Sequence, residues 1–193
     1  YLTISENSEF AIDLNATDQD FKDDPTYSLG GADEDLFDLN ASTGVLTLIE
    51  SPDFEIPTDA DQNNTYVVEV NASDGSLWDM QTIRLAVKDL NEAPVITSGD
   101  GNETELDIDE NQFFVTTVEA EDQDFNETLT YKISGGPDEG LFDINASTGK
   151  LFFLLPPPDY DHNLSASGNH EYVVEVTVAD NADGNRTDAQ TIM

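Results

Sequence analysis

Apolar and polar residues alternate with a period of two along several stretches of the chain. This side-chain period is typical of a β-strand with one buried face, so these stretches predict strands. Glycine-containing turns separate them, and about seven short strands in each hundred residues favour an immunoglobulin-like sandwich. No stretch shows convincing helical periodicity. The alternating apolar positions are Phe10, Ile12, Leu14 and Ala16, then Tyr66, Val68, Val70 and Ala72, and then Ile83, Leu85 and Val87.

The same succession of motifs occurs twice. "ISENSEF" at 4–10 returns 104 residues later as "IDENQFF", and "LFDLNASTGVL" at 36–46 returns 105 residues later as "LFDINASTGKL". "YVVEV" at 66–70 returns unchanged 106 residues later. Ordered matches with slowly growing offsets indicate tandem repeats. We therefore predict two all-β domains, residues 1–93 and 94–193.

The two copies begin and end at different positions of the repeat. Tyr1 corresponds to Glu105, and the final residues 191–193 correspond to 82–84. We therefore expect an incomplete first strand in copy one and an incomplete last strand in copy two. The simpler interpretation is a piece of a longer array. The alternative is that a neighbouring subunit donates the missing strand and so builds a filament.

Composition narrows the classes of partner. Acidic residues number 42 and basic residues 6, for a formal net charge of −36. Such a chain repels nucleic acid and anionic lipid, whose binding depends on Lys and Arg. High charge would also fit disorder, but the periodic strands and the 10 Phe and 6 Tyr oppose that interpretation. There is no cysteine, and the absence of an 18-residue apolar run predicts no membrane insertion in this segment.

Acidic residues gather where predicted strands end, as in "KDLNEAP" at 88–94. Strand ends meet at the poles of a sandwich, where crowded carboxylates repel each other by about 1 to 4 kcal/mol per pair at 4 Å. Ca²⁺ takes six to eight oxygen ligands and would convert that repulsion into attraction. The alternative is that these carboxylates are simply solvated turn residues.

Several of these motifs, in order, resemble those of cadherin repeats. The matching stretches are Glu6-Asn7, Asp53-Phe54-Glu55, Asp89-Leu90-Asn91-Glu92-Ala93-Pro94, Asp122-Gln123-Asp124 and Ala179-Asp180. The resemblance implies two tandem immunoglobulin-like Greek-key β-sandwiches, arranged end to end, with two or three Ca²⁺ ions at the linker. The chain departs from the cadherin pattern in three respects. Position 92 is Glu where the family usually has Asp, the linker is one residue shorter than the family's, and Asp183 competes with Asp180 as the expected ligand.

The ligands that the resemblance implies come from both copies and the linker. They are Glu6, Asp53, Glu55, the Leu90 carbonyl, Asn91, Glu92, Asp122, Asp124, the Asn126 carbonyl and Asp180. Half-sites for neighbouring repeats would use Asp18, Asp20 and Asp74 at one end and Glu110, Asp159 and Asp161 at the other.

N-glycosylation sequons are more frequent than composition predicts. Nine occur where chance gives about 2.3, so we expect several N-linked glycans and an extracellular or cell-surface location. They begin at Asn15, Asn40, Asn63, Asn71, Asn102, Asn126, Asn145, Asn163 and Asn185.

We expect a structural or adhesive repeat in a surface rod or fibre, and no enzyme, because the carboxylates recur with the repeat instead of forming one cleft. Its partners would be neighbouring repeats of the same or an identical chain, or a cell-surface protein or polysaccharide. The alternative is a calcium-dependent module that binds a polysaccharide or a matching repeat. An exposed aromatic cluster would favour that alternative, but Tyr27, Tyr66, Tyr131 and Tyr172 occupy repeated core-like positions, and we expect Trp78 to be a packed loop residue.

Overall fold

The computed structural model describes residues 1–19, 25–99, 101–124, 127–154, 156–182 and 185–193. The chain divides into two compact units, Tyr1–Leu90 and Asn91–Met193. In the described ranges the regular elements are β-strands and two short 3₁₀ turns, so the all-β prediction is confirmed. None of the described helices has the length and hydropathy needed to span a bilayer.

The first unit is a sandwich of a four-stranded and a three-stranded sheet. The strand orders are β1-β7-β6-β3 and β2-β5-β4, and β1 is parallel to β7 while the other pairs are antiparallel. A 3₁₀ turn, Glu34–Leu36, precedes β4. The strands are β1 Leu2–Ser5, β2 Ala11–Asp13, β3 Thr26–Gly30, β4 Phe37–Leu39, β5 Val45–Leu48, β6 Thr65–Ser73 and β7 Trp78–Lys88.

The second unit repeats this plan. Its sheets have the orders β12-β15-β16-β9 and β10-β14-β13, and β8 and β11 add a two-stranded ribbon. A 3₁₀ turn, Glu139–Leu141, precedes β13. The strands are β8 Val95–Ile96, β9 Glu103–Thr104, β10 Phe114–Thr117, β11 Ala120–Glu121, β12 Thr130–Gly135, β13 Phe142–Ile144, β14 Lys150–Phe153, β15 Val174–Ala179 and β16 Thr187–Ile192.

The alternating positions form the core, as the pattern predicts. Along β6, Tyr66, Val68 and Val70 are 5% exposed or less, and the side chains between them face outward. Burying each such side chain stabilises the fold by about 1.5 to 3 kcal/mol. The Phe37 and Tyr66 rings meet edge to face at 6.3 Å, which joins the two sheets of the first unit. Tyr27 and Tyr131 are also buried, so these tyrosines are core residues as expected.

The repeated NASTG turn depends on an Asn and a Gly. Asn40 Oδ1 accepts hydrogen bonds from the amides of Ser42 and Thr43, and Asn145 makes the same pair in the second unit. Gly149 has φ +66°, and a Cβ there would lie 2.1 Å from the Val118 carbonyl oxygen. Only glycine fits this close approach at positive φ.

The expectation for Trp78 is wrong. It is the first residue of β7, not a loop residue, and its side chain is 68% exposed. The register of the β6–β7 hairpin sets Trp78 opposite Ser73, on the outer face of the sheet. In the described part of the first unit no second sheet packs on that face, and the indole projects to solvent.

Candidate metal centre

In the first unit, parallel pairing brings an acidic residue beside the end of the domain. Because β1 and β7 run in the same direction, with Ser5 opposite Lys88, the residues that follow both strands lie side by side. The Glu6 amide donates to the Lys88 carbonyl at 3.1 Å. The Leu90 amide in turn donates to Glu6 Oε1 at 2.7 Å. Glu6 is fully buried. A buried carboxylate needs compensating hydrogen bonds, and the bond from Leu90 is one of them.

The loop that follows β5 supplies two more carboxylates. The Phe54 amide donates to Glu6 Oε2 at 2.8 Å, which fixes the loop to Glu6. Asp53 Oδ1 accepts from the amides of Glu55 and Ile56, both at 3.0 Å, so the loop turns tightly around its own carboxylate. As a result, one oxygen each of Glu6, Asp53 and Glu55 lie within 4.8 Å of one another. The first unit therefore brings together all three carboxylates expected of it.

Three carboxylates at this spacing repel one another. Each pair of charges opposes the fold by about 1 to 4 kcal/mol at 4 Å, depending on the local dielectric constant. The donor set is oxygen only, with no imidazole and no thiolate, and this composition suits Ca²⁺ or Mg²⁺ rather than zinc. The residues of this cluster thus fit a hard divalent cation.

The second unit begins with a matching cluster. Asn91 Nδ2 donates to Asp180 Oδ2 at 2.8 Å, and the Glu92 amide donates to Asp124 Oδ2 at the same distance. Asp180 is only 2% exposed, and its Oδ1 also accepts from the Arg186 amide at 3.1 Å. These bonds hold the first two residues of the unit against two of its loop carboxylates.

Asp122 carries an unfavourable charge in this cluster. Its Oδ1 accepts from the Asp124 amide at 3.0 Å, whereas its Oδ2 is buried without a hydrogen-bond partner. Asn91 Oδ1 is likewise buried without a partner. Burial raises the pKa of Asp122, and the neighbouring charges of Asp124 and Asp180 raise it further. Buried oxygens that lack donors are a specific reason to expect a cation here.

The far end of the second unit repeats the geometry of Glu6 and its loop. The Tyr160 amide donates to Glu110 Oε2 at 2.9 Å, and the Asp161 amide donates to Asp159 Oδ1 at 2.9 Å. The hydrogen bond from the Asp161 amide, followed by interactions with His162, lowers the pKa of Asp159. Glu110 is exposed where Glu6 is buried.

At the opposite end of the first unit, Asp18 and Asp74 correspond to Asp122 and Asp180. Asp74 Oδ1 accepts from the amides of Leu77 and Ser76 at 2.6 and 2.7 Å, and these bonds lower its pKa. A hydrogen bond with Asp18 contributes in the same direction. The expected residues Asp20, Asn126 and Asp183 lie outside the described residues.

Two positioning residues were missed by sequence reasoning. Asp33 is 4% exposed, and its two oxygens accept from the amides of Ala60 and Val67 at 2.7 and 2.6 Å. Asp138 does the same for the second unit, with Ala166 and Val173 as donors. These bonds anchor the loop that carries Asp53 and Glu55, and its counterpart in the second unit. An acidic residue repeated 105 positions apart was the available signal.

The sequon asparagines differ in their surroundings. Asn15, Asn40, Asn63, Asn102, Asn145 and Asn185 are exposed, while Asn71 and Asn163 are half-buried. Asn63 Nδ2 donates to Asp61 Oδ2 at 2.7 Å. Asn71 lies mid-strand in β6, and its Oδ1 is buried without a hydrogen-bond partner.

Comparison with known proteins finds similarity to cadherin domains and to protocadherins. Residues 104–193 match the family model of the Cadherin domain. Human Protocadherin-23 is 35% identical over 133 residues, which is 65% of this chain and 4% of that protein. Human Protocadherin Fat 1 is 25% identical over 205 residues, which is 99% of this chain and 4% of that protein. The chain thus spans a small fraction of the length of these relatives.

Solved structures share the fold. The crystal structure of human Protocadherin-24 EC1-2 superposes with a TM-score of 0.56 at 22% identity, covering 100% of this chain and 95% of that one. At this level of identity the likeness concerns the fold alone.

Proposed function

We propose that this chain is a calcium-stiffened structural or adhesive part of a surface rod or fibre. The premise is that it carries cadherin-like repeats of the protocadherin type and is an extracellular or cell-surface segment. Calcium binding is a general property of cadherin domains. The specific proposal is that Ca²⁺ binds at the linker of this chain, where the first unit ends at Leu90 and the second begins at Asn91.

One observation carries the proposal: each unit has an oxygen-only cluster fixed by hydrogen bonds to its own end of the linker. In the first unit the Leu90 amide donates to Glu6, which also holds the loop of Asp53 and Glu55. In the second unit Asn91 and Glu92 donate to Asp180 and Asp124. A cation bound by both sets would relieve the repulsion in each and restrain the linker.

The number of carboxylates supports two or three ions. Seven are expected at the linker, namely Glu6, Asp53, Glu55, Glu92, Asp122, Asp124 and Asp180. Because each Ca²⁺ takes six to eight oxygens, bridging carboxylates and backbone carbonyls such as that of Leu90 would complete the shells. The clusters at Asp18 and Asp74 and at Glu110, Asp159 and Asp161 would serve adjoining repeats in the same way.

The remaining parts of the proposal concern the surface. N-linked glycans would occupy several of the nine sequons, since the location is extracellular. The partners would be neighbouring repeats of the same or an identical chain, or a cell-surface protein or polysaccharide. Cadherin-family relatives are adhesion proteins, and we propose no catalytic role for this chain.

Isothermal titration of calcium into the EDTA-stripped chain tests the proposal. We expect saturable binding of two or three ions to the unaltered protein. Asp122→Asn and the double variant Asp53→Asn, Glu55→Gln should each lose at least about tenfold in affinity, equivalent to about 1.4 kcal/mol. Asp143→Asn and Asp38→Asn, exposed on strands β13 and β4, remove the same charge away from the clusters and serve as controls. Equal affinity in the cluster and control variants would contradict the proposed site.

A further inference from the structure

Two large apolar side chains stand exposed on the outer face of the first unit. Trp78 is 68% exposed and Met80 is 47% exposed, and both lie on β7 two positions apart. Residues two apart on a strand face the same side of the sheet. Trp78 and Met80 are thus exposed apolar neighbours on one face of the sheet, and contiguous exposed apolar surface is the kind that binds another group.

The same face carries a sequon. In the antiparallel register of β6 and β7, Asn71 is directly opposite Met80, and Ser73 is directly opposite Trp78. Residues directly opposite have Cβ atoms about 4.5 to 5.5 Å apart, and diagonal neighbours such as Asn71 and Trp78 are about 7 to 8 Å apart. On the other side of Asn71 the register places the small Ser28 of β3. Asn71 therefore lies between the apolar side chains of β7 on one side and the small, exposed Ser28 on the other.

The second unit provides an internal comparison. At the equivalent register position Thr177 is opposite Ala189, and Ala179 is opposite Thr187. The sequon asparagine is thus replaced by threonine, and Met80 and Trp78 are replaced by alanine and threonine. The repeat that lacks the sequon also lacks the two large apolar side chains, so the fold itself does not require them at these positions.

We propose that Asn71 carries an N-linked glycan whose first N-acetylglucosamine residues pack on Trp78 and Met80. The C–H groups on one face of such a sugar are weakly positive, and they meet the negative face of an indole favourably. The polar hydroxyls on the other side stay in water. A glycan is the expected cover for this apolar surface, because the β6–β7 register places its attachment point, Asn71, next to Trp78 and Met80.

The attachment is an ordinary group transfer from a lipid-linked oligosaccharide pyrophosphate in the secretory pathway. The Asn71 side-chain nitrogen forms a bond to the anomeric carbon of the first sugar and gives up one proton. The bond from that carbon to the phosphate oxygen breaks, and the lipid pyrophosphate leaves with the bonding electrons. The acceptor sequence Asn71-Ala72-Ser73 is complete within β6.

The inference rests on the extracellular location in the proposed function but does not depend on calcium. Its first test is peptide mapping of the chain secreted from a glycosylating eukaryotic cell line, with glycan release in heavy-oxygen water to mark each occupied asparagine. We expect Asn71 to be occupied. Ser73→Thr should keep the modification and Ser73→Ala should abolish it. An unmodified Asn71 would overturn the proposal whatever the calcium titration gives.

The second test uses the fact that Trp78 is the only tryptophan in the chain. Acrylamide quenching of its fluorescence should be roughly twofold weaker in the glycosylated chain than in Asn71→Gln, because the sugar covers the indole face. Asn102→Gln removes an exposed sequon from the second unit and should leave quenching unchanged. An occupied Asn71 with quenching equal to that of Asn71→Gln would overturn the packing.

Discussion

Among the described residues, Asp33, Asp138 and Asp122 show two ways in which the charge of a carboxylate is compensated. Asp33 and Asp138 accept a hydrogen bond from a backbone amide on each oxygen, so their charges are compensated within the fold. Asp122 has one oxygen that accepts an amide and one that is buried without a partner. The first kind stabilises a loop at all times, whereas the second is favourable only with a cation nearby.

The effect of Asp122→Asn on the free energy of unfolding should change sign when calcium is added. In EDTA the substitution removes a charge that burial and the charges of Asp124 and Asp180 disfavour, so the free energy of unfolding should rise slightly, by less than about 1 kcal/mol because solvent screens the group. In saturating calcium it removes a ligand, and the free energy of unfolding should fall. Urea unfolding in both conditions, with Asp143→Asn as the control, measures the two effects. A destabilisation of equal size in both conditions would contradict the account.

The same residue predicts a pH dependence in EDTA. A carboxyl whose pKa is raised on folding contributes stability below its ordinary pKa of 3.8, and that contribution is lost as pH rises through the raised value. The difference in stability between Asp122→Asn and the unaltered chain should therefore grow from pH 4 to pH 7.

Asp33→Ala should destabilise the first unit by about 2 to 3 kcal/mol, because the amides of Ala60 and Val67 lose the buried carboxylate that accepts from both. Asp35→Ala changes an exposed carboxylate two residues away and should shift stability by less than about 0.5 kcal/mol. Chemical denaturation of both variants measures the difference. Equal effects would show that the anchor does not hold the loop.

At the scale of elements, the strands could be predicted from sequence because alternation reports burial directly. Tyr66, Val68 and Val70 alternate and are buried as expected. The place of Trp78 could not be predicted, since its exposure depends on the hairpin register and on which face of the sheet lacks a covering layer. The role of Asp33 could not be predicted from the sequence either, because its hydrogen-bond partners Ala60 and Val67 are about thirty residues away.

The expected ligands followed from local motifs, and the clusters within each unit depend on pairing that a motif does not contain. Glu6 reaches the end of its unit only because β1 is parallel to β7. Asp180 and Asn91 are 89 residues apart and meet through a single side-chain hydrogen bond. Local motifs therefore supplied the expected residues, and sheet topology determined which of them meet.

Gly149→Ala should destabilise the second unit by at least about 2 kcal/mol, from strain at positive φ and collision with the Val118 carbonyl. Gly140→Ala is the matched control, because a Cβ there meets nothing within 4 Å. Thermal melting of both variants measures the difference. A melting temperature of Gly149→Ala equal to that of the control would show that the NASTG turn tolerates a side chain.

At the scale of the whole molecule, a net charge of −36 opposes the compact state by self-repulsion. Sodium chloride should therefore stabilise the EDTA-treated chain gradually, over hundreds of millimolar, by screening. Calcium at constant ionic strength should act at far lower concentration, and magnesium less strongly, because it demands a stricter octahedral site. Denaturation midpoints against each salt distinguish screening from site binding. No effect of calcium at constant ionic strength, beside stabilisation by sodium chloride, would favour screening alone.

The most direct test of the central claim is thermal melting of the chain in EDTA and across a calcium titration. An ion that binds only the folded state stabilises it by about 2.7 kcal/mol at one hundred times the dissociation constant, so the melting temperature should rise by several degrees and continue to rise with the logarithm of the calcium concentration. The double variant Asp122→Ala, Asp124→Ala should lose most of that rise. A melting temperature that is the same in EDTA and in calcium would contradict a calcium-clamped linker.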